Sequence, residues 1–76
     1  MKFSDLIIAI EKFNAESKKH FLMAWETSSA IIIETFNLND GKVMCRNRFY
    51  SIQRAIAEIR SMDNGLIPID SLWRLT

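Results

Sequence analysis

An Asp-Gly pair, Asp40-Gly41, stands between two runs rich in β-branched and aromatic residues, 30–38 and 43–49. Few features narrow the fold of a short chain as much. A tight hairpin turn of the primed type needs positive φ at its central positions, which Gly adopts freely and Asp tolerates, so an Asp-Gly pair between apolar runs predicts two antiparallel strands. Thr27, Ser28 and Ser29 form a polar break ahead of the first run. Before that break, residues 20–26 read as a further strand; Phe21, Ala24 and Trp25 can instead prolong a preceding helix to about residue 27.

Helical patterns flank the strands. Phe3, Leu6, Ile7, Ile10 and Phe13 recur at the spacing that puts all five on one helical face, with Ser4 as N-cap, which predicts a helix over 4–17. Ile52, Ala55, Ile56, Ile59 and Met62 repeat that spacing behind Ser51, a second cap, and predict a helix over 52–63 that stops near Asn64 and Gly65. Residues 66–76, which include Pro68, read as an extended C-terminal tail. The expected fold class is α+β: one small domain spanning 1–76, ordered helix, three-stranded antiparallel meander, helix and tail, with both helices on one sheet face. The opposite sheet face is then left to water or to a partner.

The register follows from the turn. With Asp40-Gly41 as a two-residue loop, Leu38 opposes Val43, Phe36 opposes Cys45, Glu34 opposes Asn47 and Ile32 opposes Phe49; this set gathers the apolar bulk and is assigned to the core. The outer face then pairs Asn37 with Met44, Thr35 with Arg46, Ile33 with Arg48 and Ile31 with Tyr50. A loop one residue longer regroups these residues and sets Glu34 opposite Arg46. Cys45 is expected in the core beside Phe36, Trp25 in the core, and His20, after Lys18 and Lys19, on the surface.

Charge excludes some functions. Ten Lys and Arg against nine Asp and Glu give a net charge of +1, too little for a global field that attracts nucleic acid or an anionic membrane. A lone cysteine forms no internal disulfide, and no leader or membrane span is evident, so a cytoplasmic location is expected. One His with one Cys cannot supply a four-ligand zinc site, and with two glycines the chain has no glycine-rich phosphate loop. No catalytic residue, cofactor or metal is therefore expected, and the chain is not read as an enzyme.

The mixed outer face carries the functional expectation. Aromatic residues, Met and Arg are enriched at interfaces, so Ile33, Met44, Arg46, Arg48 and Tyr50, with Trp73 from the tail, are the candidate partner-binding residues for docking on a larger protein or protein complex. In size and general organisation the chain resembles the small inhibitors that phages and mobile elements encode, anti-CRISPR proteins among them. That resemblance implies an inhibitor of a host protein complex; it carries no motif and transfers no residue. The alternative is a nucleic-acid-binding module using Lys42, Arg46, Arg48, Arg54 and Arg60, since residues 42–60 contain these five cations against Glu58 alone. A third reading buries the outer face in a homodimer.

Overall fold

The computed structural model describes residues 2–62. Helix α1 (Phe3–Glu16) leads into strands β1 (His20–Glu26), β2 (Ile31–Asn37) and β3 (Val43–Phe49), and helix α2 (Ile52–Arg60) follows. The strands form one antiparallel sheet in the order β1-β2-β3, and both helices pack on the same face of it. The expected α+β meander is thus the observed architecture. The tail over 66–76 and Trp73 lie outside the described residues.

Each element has an identifiable local cause. At the start of α1 the Asp5 carboxylate reaches back to accept the Lys2 backbone N–H at 2.8 Å, so Asp5 rather than Ser4 closes the first turn and Phe3 joins the helix. Ser51 caps α2 as expected, its hydroxyl accepting the Arg54 backbone N–H at 3.3 Å. That helix ends at Arg60, earlier than the expected 63: the Ser61 hydroxyl donates to the Glu58 carbonyl at 2.6 Å, and the Ser61 N–H is shared between the Ala57 and Glu58 carbonyls. Such local capture of backbone groups competes with helix continuation. β1 is a strand and does not extend α1. Ser17 turns the chain between them, its hydroxyl accepting the His20 backbone N–H at 3.0 Å. Thr27 then closes the β1–β2 turn, its Oγ1 accepting from Ala30 N–H at 3.0 Å while its own N–H donates to the Ala30 carbonyl at 2.8 Å.

The second hairpin departs from the expected two-residue turn. The Asn37 carbonyl accepts the Gly41 N–H at 2.8 Å and the Asn37 N–H donates to the Lys42 carbonyl at 2.9 Å, so residues 38–41 form the turn. Gly41 sits at φ +72 with open space around its missing Cβ; its role is conformational, since most side chains resist that φ. Phe36 pairs with Val43, the register then shifts across Met44, and Thr35 pairs with Cys45, Glu34 with Arg46, Ile33 with Asn47, Ile32 with Arg48 and Ile31 with Phe49. The assignment of β2 faces from the shorter turn is therefore reversed. Ile31, Ile33 and Thr35 face the helices, whereas Ile32, Glu34 and Phe36 face away. For β3 the expected faces hold from Cys45 to Phe49, with Cys45 and Phe49 inward; Val43 and Leu38, expected in the core, are exposed, because Val43 lies beyond the register shift and Leu38 belongs to the turn.

The reason is the cost of burying Glu34. On the core face its carboxylate would have to be desolvated beside Asn47, and an unpaired buried charge is among the most expensive things a small core can contain. In the observed register it bonds Arg46 at 3.0 Å on the outer face. The core beneath the helices is then built from Leu6, Ile10 and Phe13 of α1, Leu22, Ile31, Ile33, Cys45 and Phe49 of the sheet, and Ala55, Ile56, Ile59 and Met62 at α2. Cys45 is buried there as expected, although opposite Thr35 and not Phe36.

The reversal leaves one polar residue inside. Thr35 is wholly buried, and its hydroxyl has no hydrogen-bond partner among the described residues. A buried hydroxyl without a partner costs about 1–3 kcal/mol, a smaller sum than a carboxylate would. Val has the same shape without the polar atom. Thr35→Val should therefore raise stability by about 1 kcal/mol, moving the thermal midpoint of a domain this size up by about 4–8 °C. A lower midpoint in calorimetry would show that the hydroxyl has a stabilising role.

The two edges of the sheet are treated differently. On β1, the Asn14 side chain from α1 donates its Nδ2 to the Leu22 carbonyl at 3.0 Å and accepts the Leu22 N–H on Oδ1 at 2.8 Å. One amide thereby occupies both outward backbone groups of Leu22 and blocks strand addition at that point. β3 is the other edge, and among the described residues no segment pairs with its outer side.

Candidate functional site

Because the helices cover one face, the nine outward positions of the sheet form a surface of three cross-strand rows. Phe21, Phe36 and Val43 make the first row, Met23, Glu34 and Arg46 the second, and Trp25, Ile32 and Arg48 the third. Among the described residues no helix packs on this surface. Phe21, Met23 and Trp25 are 41%, 49% and 38% exposed, and Val43 is exposed as well, so large apolar side chains meet water along its length. Ile32 is buried between Trp25 and Arg48, and Phe36 is half-buried beside Phe21. Cross-strand aromatic and ion pairs of this kind hold a sheet together by about 0.2–1 kcal/mol each. The Glu34–Arg46 pair contributes at the low end of that range, since Arg46 is largely exposed.

The structure sorts the candidate residues. Arg46 and Arg48 lie on the outer face, as expected. Ile33 does not: it has no exposed surface and sits in the core, so it leaves the candidate set. Met44 is half-buried at the register shift of β3. Tyr50 follows β3 instead of pairing with Ile31, and is 76% exposed. Trp25, assigned to the core, stands on the outer face, and Phe21, Met23, Phe36 and Val43 join it there. The outer face of β1 was missed because both of its alternating sets, Leu22 with Ala24 and Phe21 with Met23 and Trp25, are apolar, so alternation alone does not say which set is covered. Glu34 held the signal. A carboxylate in the middle strand belongs on the face of the arginines, and that placement fixes the parity of β2 and, through it, of β1.

The five cations of the nucleic-acid reading are not brought together. Arg46 and Arg48 stand on the outer sheet face, Lys42 follows the turn, and Arg54 and Arg60 are exposed on α2, which packs on the opposite face. Arg48 and Arg54 do line one open cleft, at the junction of β3 and α2. His20 is half-buried with its Nδ1 buried and without a hydrogen-bond partner among the described residues; burial, and then the neighbouring Lys19 ammonium, lower its pKa from 6.5. The proton therefore goes on less readily in the fold than in the open chain.

Among the described residues there is no group of three or more His, Cys, Asp or Glu placed to hold a metal ion, and no helix long and apolar enough to cross a membrane. No protein-family model, curated protein or solved structure matches the chain.

Proposed function

We propose that this chain is a small non-enzymatic protein-binding module that docks on a larger protein through the outer face of its sheet. The observation that carries the reading is the line of exposed Phe21, Met23 and Trp25 along β1, on the same sheet face as Arg46 and Arg48. A chain of 76 residues has little apolar surface to spare, and fully burying each such side chain stabilises by about 1.5–3 kcal/mol. Leaving a contiguous set exposed makes physical sense when a partner covers it. The composition fits too, since Trp, Phe, Met and Arg are the residues that interface centres favour. Such a module acts by occupancy, as an inhibitor of a protein complex would, and needs no reactive group.

The experiment is capture of the partner by the tagged chain, repeated with Met23→Glu. A carboxylate in the middle of this apolar line should abolish capture; position 23 faces water in the free protein but stands opposite Glu34, so the loss counts when the far-ultraviolet circular dichroism matches that of the unmodified chain. Undiminished capture by a folded Met23→Glu chain would remove the sheet face from consideration.

A further inference from the structure

The third row of the outer face continues around the end of the sheet. Arg48, its last member, also lines an open cleft of about 460 Å³ between the end of β3 and the start of α2, together with Asn47, Phe49, Tyr50, Ser51 and Arg54. None of these six residues is acidic. The ion pair found among the described residues, Glu34–Arg46, lies one row away, and neither Arg48 nor Arg54 has an ion-pair partner among them. The lining therefore includes two arginines and the exposed Tyr50 with no acidic residue beside them, while the rest of its surface is largely apolar and the Asn47 Nδ2 is engaged with Cys45 Sγ at 3.7 Å. Guanidinium matches carboxylate with paired, charge-assisted hydrogen bonds.

We propose that this cleft receives an acidic, extended segment of the docked protein, with Arg48 and Arg54 binding its carboxylates and Tyr50 packing along its backbone. The proposal rests on the docking function above and names the chemistry of the partner. The asymmetry of the sheet edges favours an extended segment at this place. Asn14 caps β1, whereas β3 has no described neighbour on its outer side. An added strand supplies main-chain pairing while alternate side chains give selectivity. Arg48 on that edge, with no ion-pair partner among the described residues, repels a second copy of β3 and attracts a strand that carries Glu or Asp, so the same charge that discourages self-association selects the partner.

The test uses the intact chain, with pentaglutamate as probe, pentalysine as the opposite-charge control and pentauridylate as the nucleic-acid control, read from the nuclear magnetic resonance signals of the Tyr50 ring and the Arg54 side chain. Pentaglutamate should move these signals saturably, pentalysine should not, and the double variant Arg48→Gln, Arg54→Gln should bind pentaglutamate about tenfold more weakly with an unchanged Trp25 indole signal. An equal response in the double variant, no saturable response to pentaglutamate, or saturation by pentauridylate at a lower concentration would overturn the proposal. Partner binding separates this failure from that of the docking function. If Trp25→Ala loses the partner and the double variant keeps it at full affinity, docking stands and the acidic segment is overturned; if Trp25→Ala keeps it, docking itself has failed.

Discussion

Ile33→Ala should lower the unfolding free energy by about 2–5 kcal/mol, the cost of removing a large aliphatic side chain from a packed core. Ile33 lies in the middle strand, between Ala24 and Asn47, with 0% of its surface exposed. Removing its side chain costs the transfer free energy of the lost methyl and methylene groups, plus that of a cavity which the fixed strand on either side cannot close. At about 0.05–0.15 kcal/mol per residue, a chain this short has roughly 4–11 kcal/mol in total, so the variant should lie near its unfolding threshold at room temperature. Urea titration with the same slope and a much lower midpoint is the expected record. Leu38→Ala is the internal control. Leu38 is half-exposed on the turn, and its truncation should cost well under 1 kcal/mol. The shorter two-residue turn predicts the reverse order for the two variants, because it puts Leu38 in the core and Ile33 in water.

On the other face of the sheet the largest expected effect is on binding. Trp25→Ala should weaken partner affinity by about 2 kcal/mol or more, about thirtyfold, as truncation of a central aromatic anchor commonly does. Trp25 is placed for that role: it borders the buried Ile32, it leads through the third row to Arg48, and it is more than a third exposed in the free chain, so a partner has surface left to cover. Its removal should cost the free protein less than Ile33→Ala does, because the indole is not enclosed by the helices. A thirtyfold loss of affinity measured by calorimetry, with the unfolding midpoint nearly kept, is the expected pair of results. Unchanged affinity would show that the indole is structural.

The element order was legible because each element has its own local signal. The apolar stripes of α1 and α2, the Thr27-Ser28-Ser29 break and the Asp40-Gly41 pair each act over a few residues, and the strands at 20–26 and 43–49 coincide with the observed ones. Register was harder, since it depends on how many residues the turn consumes. Gly41 does take positive φ, as expected, but as the last residue of the 38–41 turn; that longer turn slips the register by two residues and preserves the faces, and the one-residue shift across Met44, which no turn signal announces, is what inverts the faces of β2. The candidate site inherited the error. Arg46 and Arg48 lie on the outer face as expected, because alternation with Cys45 and Phe49 places them whatever the turn does; Ile33 lies in the core and Phe21, Met23 and Trp25 lie on the outer face against expectation, because their faces depend on β2. That Arg48 and Arg54 line one cleft is a tertiary fact, with β3 and α2 carrying the two residues to it, and no spacing in the chain announces it.

The most direct test is a comparison of side-chain nuclear magnetic resonance signals in the free chain and in the chain bound to its captured partner. The Phe21 ring, the Met23 methyl and the Trp25 indole should all shift or broaden on binding, while Ile8 and Arg60, exposed on the helices of the opposite face, keep their free-state signals. Changes confined to Ile8, Arg60 and their neighbours, with Met23 and Trp25 unmoved, would contradict docking through the sheet.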